Sequence, residues 1–432
     1  MRRFTSRQSV LRSKIRRLRR QIAKRIVRRP RRKLSNEAFG LLVKTLNKKR
    51  IDPAQKEKKV KFMTPIIDAE KAKAALTGSG YEVEAIRPIN EGSNHFVFDV
   101  MLAGNRPAIC KFAKIRATEE GLYESSRDTL FGGRLSLERE AYLFQMIREK
   151  AGVPTPEVYG TYESPYGKFI LLERMNGISQ KECMRRSGFS KQTFLDSMEF
   201  LGRDFAKVQN ITFSSFGNIM ADSVIEPAGI SNFSDRFRSV IDMRIQRCQQ
   251  KQVFSPEETV RVTQFFHEML EKLRPHFDAQ TTPPVLVFTD MHAENFFTNE
   301  QGMPTGYFDL ESAQAAPAAL EFYGFRFFLY NFYDTACFQE AEAAFFRGYQ
   351  AAGGKYAPAC PADDSAIDFL AGCRLLELAQ SYWGYIDGIR DSWGQEMKRL
   401  LLAYMDSGRV DYNAIGAVWR QRDHQPLTPQ KA

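Results

Sequence analysis

The residues with the clearest potential for chemistry lie within positions 285–311. Asp290 follows a short apolar run, Asn295 comes five positions later, and Asp309 lies within a further strand-like run at 307–310. A hairpin with its turn at 299–304 would bring these three side chains to one sheet edge. Carboxylate and amide oxygens there can orient an attacking hydroxyl and bind magnesium, as phosphoryl transfer requires. Asp and Asn are also common beside turns, so plain loop residues remain an alternative interpretation.

The same stretch resembles the aminoglycoside phosphotransferase and choline kinase family, whose pattern is roughly His-Gly-Asp-x-His-x-x-Asn followed by Ile-Asp-x-Glu. The residues that match this pattern are Asp290, His292, Asn295, Asp309 and Glu311. The resemblance implies that Asp290 is the catalytic carboxylate and that Asn295 and Asp309 bind Mg²⁺. It also implies supporting positions for His292 and Glu311.

The chain departs from the family pattern directly before Asp290. Phe288 and Thr289 stand where the family usually has His and Gly. Because that His usually braces the catalytic loop, the departure is expected to change loop geometry more than activity. After Asp309 the sequence passes through 315–319 into a helical pattern with no long activation segment, which favours a small-molecule kinase over a protein kinase.

Motifs nearer the N-terminus follow in the family's order, so the resemblance covers about residues 80–335. The turn that looks like the family's nucleotide loop consists of Gly92, Ser93 and Asn94. A glycine there lets the backbone approach phosphate, although a plain hairpin turn would look the same. A strand-like run ending at Glu173 looks like the kinase hinge, so main-chain atoms of Glu173 and Met175 are expected to contact adenine. Gly177 would mark the boundary between the lobes.

Lys111 is the candidate phosphate-binding lysine. It ends a strand-like run among apolar residues, where a charge needs a partner. The resemblance implies that Glu140, at the start of a helical pattern, is this partner and that the pair binds ATP. Glu138 remains an alternative to Glu140. Lys114 remains an alternative to Lys111, although strand alternation turns it to the opposite face.

Composition indicates a globular protein that does not cross a membrane. The 432 residues are 43% hydrophobic, and no apolar run approaches the roughly 18 residues of a spanning helix. Six cysteines without paired or metal-binding spacing indicate reduced intracellular thiols. Without an apolar signal-peptide core, the expected location is the cytoplasm.

Charge is strongly segregated along the chain. Residues 1–62 contain 24 Lys plus Arg against 3 acids, whereas the remainder has 39 against 48. The apolar residues that recur at helical spacing in this tail are Leu11, Ile15, Leu18, Ile22 and Ile26. This pattern predicts that residues 1–34 form a basic amphipathic helix on an anionic membrane surface. The expected location is therefore the cytoplasm, with peripheral association at the membrane. Nucleic acid is the weaker alternative, and a transit peptide or a solvated tail stays open.

These patterns predict an α+β, protein-kinase-like, two-lobe fold with an antiparallel-sheet N-lobe and a mainly helical C-lobe. We divide the chain into a basic tail and linker (1–62), the N-lobe with hinge (63–177), the C-lobe (178–420) and a loose tail (421–432). Strands are predicted at 83–88, 97–102, 107–113, 158–161 and 168–173. Helices are predicted at 68–76, 194–208, 235–248, 256–273, 319–333, 337–353, 364–388 and 392–404.

The expected function is ATP- and Mg²⁺-dependent transfer of a phosphoryl group to a small-molecule hydroxyl. A protein-directed kinase and a catalytically silent nucleotide-binding module are the alternatives. The aromatic residues that either line a substrate pocket or pack in the core are Tyr382, Trp383, Tyr385 and Trp393. The histidines for which the sequence requires no catalytic role are His95, His267, His276 and His424.

Overall fold

Apolar and β-branched residues of the first predicted strands form an antiparallel sheet in the computed structural model. The structure describes residues 66–91, 95–113, 123–124, 134–185, 190–278, 283–329, 335–356, 361–384 and 388–424. All of these lie within one compact unit, Thr64–Ala432. The predicted segments 1–62 and 92–94, and Lys114, lie outside the described residues.

The first sheet has the strand order β1-β2-β3-β7-β6, and every neighbouring pair is antiparallel. Its strands are β1 (Val83–Glu91), β2 (His95–Leu102), β3 (Arg106–Ala113), β6 (Val158–Ser164) and β7 (Gly167–Glu173). Helix α1 (Ala69–Gly78) begins after Asp68, whose side chain accepts a hydrogen bond from the Lys71 N–H. Its Leu76 is buried in the core beside the sheet. The five predicted strands are thus present, each slightly longer than its apolar run.

Helix α2 (Leu137–Ala151) lies against this sheet and has clear end signals. Ser136 caps its N-terminus by accepting from the Arg139 N–H, and Gly152 ends it at a left-handed φ of 63°. The short pair β4 (Tyr123–Glu124) and β5 (Arg134–Leu135) precedes it. These ends fix the register of α2, and with it the positions of Arg139 and Glu140.

Two smaller sheets carry the 285–311 stretch. One has the order β10-β9-β14-β11, and the other β13-β12-β8. Their strands are β8 (Ile178–Ser179), β9 (Gly217–Ile219), β10 (Ile225–Glu226), β11 (Val285–Val287), β12 (Phe296–Thr298), β13 (Pro304–Tyr307) and β14 (Gln314–Ala316). The expected hairpin is therefore present as β12–β13. Its second strand ends at Tyr307, before the predicted limit, because Asp309 adopts a left-handed φ of 58° that ends the ladder.

Helices make up most of the remainder. They are α3 (Gln180–Arg185), α4 (Lys191–Gln209), α5 (Phe233–Gln250), α6 (Pro256–Phe277), α7 (Ala319–Leu329), α8 (Thr335–Ala351), α9 (Pro361–Tyr382), α10 (Gly388–Ser407) and α11 (Tyr412–His424). The prediction of one helix over 364–388 is wrong, because α9 ends at Tyr382 and Gly384 follows with a left-handed φ of 72°. Helix α11 continues beyond residue 420, where we placed the end of the C-lobe.

Aromatic residues recur in the core of the helical part. Trp393 is 6% exposed within the largest buried cluster, and its ring meets Tyr382 edge-on at 5.5 Å. Tyr382 and Trp383 are half-buried against the same cluster, which favours core packing over a substrate pocket, while Tyr385 lies outside the described residues. Among the helices described, none is long and apolar enough to cross a membrane.

Candidate active site

The loop between β11 and β12 positions Asp290 at the end of a buried strand. Leu286 and Val287 are fully buried, whereas Asp290 is half-buried. The Asn295 side chain closes the loop, because its Nδ2 donates to the Asp290 carbonyl oxygen at 2.9 Å. This bond uses the amide nitrogen and leaves the Asn295 Oδ1 as an oxygen donor for a cation.

The residues that depart from the family pattern have definite structural roles. Phe288 is 2% exposed and packs between Phe205, with ring centroids 5.4 Å apart, and Tyr307, at 5.8 Å. Thr289 adopts a left-handed φ of 63°, a conformation that glycine takes without strain. Its Oγ1 donates to the Ser312 carbonyl at 2.8 Å. Apolar packing and this hydrogen bond thus hold the loop where a His and a Gly are usual.

A buried carboxylate also holds the loop. Glu321, on α7, accepts hydrogen bonds from the main-chain N–H groups of Phe288 and Thr289. Burial raises the pKa of Glu321 to about 8, although these two N–H donors act to lower it. Glu321 is 2% exposed, and its two hydrogen bonds tie α7 to the loop that carries Asp290.

Lys111 joins the first sheet to the segment that carries Asp309. Its Nζ donates to both Glu140 oxygens, at 2.8 and 2.9 Å, and to the Asp309 Oδ1 at 3.2 Å. Glu140 is 1% exposed, so the pair is buried. Glu138, the alternative partner, instead pairs with Lys168 of β7 at 2.8 Å. The structure thus brings Lys111, Glu140 and Asp309 together.

The electrostatics of this cluster follow from burial and an excess of carboxylates. Burial would lower the pKa of Lys111, but the Glu140, Asp309 and Glu311 carboxylates outweigh it and raise that pKa. Burial raises the pKa of Glu140 to about 7; Lys111 opposes this change, whereas Asp309 and Glu311 reinforce it. The cluster therefore retains its ammonium and has a strong affinity for further positive charge.

Arg139 fixes the turn that follows Asp309. Its 1% exposed guanidinium donates to the main-chain carbonyls of Ile219, at 2.8 Å, and of Glu311 and Ala313. The turn at Leu310–Ser312 is thereby held against helix α2. Because Glu140 is the next residue of that helix, α2 positions both the Lys111 pair and the turn that follows Asp309.

Oxygen donors in this region suit a magnesium ion. Ligand atoms of Asp309, Glu311 and His95 lie within 4.8 Å of one another. The Phe308 N–H donates to the Asn295 carbonyl at 3.1 Å, so the two loops that carry Asn295 and Asp309 are directly joined. Carboxylate and amide oxygens are the ligands that Mg²⁺ prefers, and the donor set therefore fits this ion.

The expected nucleotide-binding edge is only partly described. Gly92, Ser93 and Asn94 lie outside the described residues. The Glu173 N–H donates to the Glu157 carbonyl at 2.8 Å, so this group is already used. Met175 contributes its side chain to packing, since a Cβ added at Gly306 would lie 2.7 Å from the Met175 Cε.

Gly177 and His292 complete the predicted set. Gly177 has a φ of 127°, and an added Cβ would lie 2.6 Å from Thr305 Oγ1 and 2.9 Å from the Thr298 carbonyl, so only glycine fits. The His292 ring lies beside Glu294, whose N–H is 3.3 Å from its Nδ1, and the His292 carbonyl accepts from the Asn295 N–H at 2.8 Å. His292 thus shapes the turn between Asp290 and Asn295.

Sequence reasoning missed several residues of the site. His95 was assigned no role, yet its position directly after the predicted nucleotide loop could have indicated one. Arg374, on α9, donates to both Glu377 oxygens at 2.6 Å and lies within the electrostatic influence of Asp290. The local sequence contains no signal that pairs Arg374 with Asp290, because only tertiary packing brings α9 close to this loop.

A model of the phosphotransferase enzyme family matches residues 85–362. The chain belongs to this family. Among curated proteins, none matches the sequence. Family membership confirms the prediction of a phosphotransferase.

Solved structures agree on the fold. A thermostable mutant of the aminoglycoside phosphotransferase APH(4)-Ia is 16% identical, with a TM-score of 0.50 over 78% of this chain and 99% of that chain. The GDP complex of an aminoglycoside 2'-phosphotransferase IIIa is 12% identical, with a TM-score of 0.50 over 79% of this chain and 99% of that chain. The predicted α+β, protein-kinase-like fold is confirmed, with its antiparallel sheet followed by a mainly helical part.

Proposed function

We propose that this phosphotransferase moves the γ-phosphoryl group of ATP to a hydroxyl of a small molecule with the help of Mg²⁺. The observation that carries this proposal is the position of the Lys111 ammonium, 2.8 Å from Glu140 and 3.2 Å from Asp309. In kinases a lysine held by a helical glutamate contacts the phosphates, and the neighbouring aspartate binds the metal. The same three residue types meet here.

Each residue of the site has a task in this proposal. Lys111 binds the α and β phosphates and Glu140 holds it in place. Asp309 and the Asn295 Oδ1 bind Mg²⁺, which would neutralise charge on the phosphate oxygens. Asp290 accepts a hydrogen bond from the acceptor hydroxyl, aims its oxygen at the γ-phosphorus and takes its proton.

Positioning accounts for most of the expected rate enhancement. The transition state of phosphoryl transfer is loose, so the protein mainly aligns the reacting groups and neutralises charge. The braces around the loop support this interpretation: Glu321 and Ser312 hold Thr289, and Asn295 holds the Asp290 carbonyl. Asp290 is therefore held before substrate binds.

A small-molecule acceptor is favoured over a protein. Between Asp309 and α7, which begins at Ala319, the chain contains only a helical turn and the short strand β14. There is no room in this described segment for the long activation loop with which protein kinases bind peptide substrates. The acceptors consistent with the family resemblance are an aminoglycoside, choline, a sugar or a lipid head group.

A screen of metabolite pools with labelled ATP tests the proposal. Label should appear in a small molecule with the wild-type protein and disappear with Asp290→Asn. The screen should be repeated with labelled GTP, because one structural relative was solved with GDP. Label on Ser, Thr or Tyr of added protein would favour a protein-directed kinase. ATP binding without transfer to any pool would favour a silent binding module.

For the N-terminal tail, we infer a membrane-surface anchor formed by residues 1–34 of a cytoplasmic protein. Support comes from 16 basic residues before Glu37, with no acid among them, around one apolar stripe. Each basic residue near an anionic bilayer contributes roughly 1 kcal/mol, and the stripe adds apolar burial that nucleic acid does not offer.

A further inference from the structure

His95 is the first described residue after the predicted nucleotide loop, and its imidazole reaches the carboxylates of the metal-binding turn. The residue is 4% exposed, and its Nε2 lies 3.6 Å from the Glu311 Oε2. One ligand atom each from His95, Asp309 and Glu311 all lie within 4.8 Å of one another. Ligands bound to one ion at about 2.1 Å stand roughly 3 to 4 Å apart, so a small adjustment would let the three surround a single cation.

The carboxylates around Lys111 favour the binding of a cation. The carboxylates of Glu140, Asp309 and Glu311 act on one another and on the single Lys111 ammonium. Lys111 pairs with Glu140 and Asp309, and the Glu311 carboxylate lies 3.6 Å from the His95 ring. Buried charges are costly unless they are paired or bind a metal, so a divalent ion beside Asp309 and Glu311 would be stabilised by both carboxylates.

The three ligands are held on rigid elements. His95 begins strand β2 and lies opposite Ala113 of β3 in the ladder. Asp309 is fixed by the Lys111 ammonium, and the main-chain carbonyl of Glu311 accepts from the buried Arg139. Sites whose ligands are locked in this way bind ions with defined geometry.

We propose that His95 is a direct ligand of the divalent ion at Asp309 and Glu311, and that this site takes a first-row transition ion such as Mn²⁺ in preference to Mg²⁺. Magnesium strongly prefers oxygen ligands in octahedral geometry, whereas imidazole nitrogen suits first-row transition ions. The inference deepens the proposed function, because it concerns the ion at the same site.

Pulsed electron paramagnetic resonance of Mn²⁺ bound to the full-length protein tests the assignment. A coordinated imidazole gives electron spin echo modulation from ¹⁴N, and the measurement omits nucleotide because adenine nitrogen would add its own modulation. The wild-type protein should show the ¹⁴N signal and His95→Gln should lose it. His267→Gln is the matched control and should keep the signal, since His267 pairs with Asp242 on the surface of α6.

Affinity provides a second measurement. His95→Gln should weaken Mn²⁺ binding by at least 10-fold and leave the weaker Mg²⁺ binding within about 2-fold, whereas Glu311→Gln should weaken Mn²⁺ binding and keep the ¹⁴N signal. A ¹⁴N signal that persists in His95→Gln, or is absent from the wild-type protein, overturns the assignment. If the ¹⁴N result holds but no pool accepts phosphate, the proposed function fails and the metal assignment stands.

Discussion

At the scale of single residues, Asp290 is held through its main-chain carbonyl, and we propose that its carboxylate is the catalytic base. Asp290→Asn should lower turnover roughly 10²- to 10⁴-fold, the usual contribution of a positioned base. ATP affinity should be unchanged, because the carboxylate acts on the acceptor. Steady-state kinetics and ATP titration calorimetry measure both. The control is Asp196→Asn, a substitution at an exposed position of α4. If Asp290→Asn keeps more than half the wild-type rate, Asp290 is not the catalytic base.

Asp309 gives a second prediction at this scale. Asp309→Ala should abolish metal-dependent nucleotide binding, and Asn295→Ala should weaken it less, because a carboxylate binds a hard cation more tightly than an amide. ATP titrations with and without divalent metal measure the difference. Lys111 keeps Glu140 as a partner in Asp309→Ala, so the fold should survive. Unchanged metal dependence in both variants would refute the assignment of the site.

Individual contacts were predictable where local pattern and family resemblance coincide. The family resemblance implied the Lys111–Glu140 pair, whereas the local pattern also allowed Glu138, which lies in the same first turn of the helix. Arg139 was not predictable in the same way, because its acceptor carbonyls lie 80 to 174 residues away in the chain. The sequence contains no short-range signal for contacts that only tertiary packing creates.

At the scale of elements, the buried Glu321, which ties α7 to the loop that carries Asp290, should make stability depend on pH. Burial gives Glu321 a folded pKa of about 8 against an ordinary value of 4.5. The folded state therefore holds a proton that the unfolded state has released, and stability falls as pH rises from about 4.5 to 8. The loss is roughly 3 to 5 kcal/mol at 1.36 kcal/mol per pKa unit.

Glu321→Gln should remove this part of the pH dependence, because glutamine does not titrate. Urea unfolding of wild-type and variant protein at several pH values between 5 and 8 measures it. Glu300→Gln, an exposed change in the turn before β13, should leave the wild-type slope intact. Parallel slopes for wild type and Glu321→Gln would show that Glu321 does not titrate in this range.

Helices and strands were predicted well where the apolar periodicity was regular. Their ends were predicted poorly where the backbone conformation of a single residue ends the element. The period-2 and period-3.6 patterns located the strands of the first sheet and the cores of most helices. The end of α9 and the end of β13 depend instead on left-handed residues, Gly384 and Asp309. A glycine in a long helical pattern does not reveal on its own whether it ends the helix.

At the scale of the whole molecule, charge segregation separates the tail from the enzyme. A chain that starts at residue 63 should remain folded and active while losing affinity for anionic vesicles. Vesicle sedimentation of full-length and truncated protein at low and high salt measures this. Ile15→Ser with Ile22→Ser should reduce vesicle binding, since it removes apolar burial and keeps every charge. Vesicle binding that survives these changes and is competed away by duplex nucleic acid would instead indicate a nucleic-acid-binding tail.

The buried Arg139 has a consequence for how such an enzyme can be controlled. Protein kinases are switched off when the helix that carries the glutamate of the Lys–Glu pair swings outward. Here the same movement of α2 would pull a fully buried guanidinium away from three carbonyl acceptors. Leaving a buried charge unpaired costs roughly 3 to 5 kcal/mol, which would keep the displaced state below about 1% of molecules. We therefore expect α2 to stay in its inward position. Control of this activity should then act through the amount of enzyme, its membrane location or the supply of its acceptor.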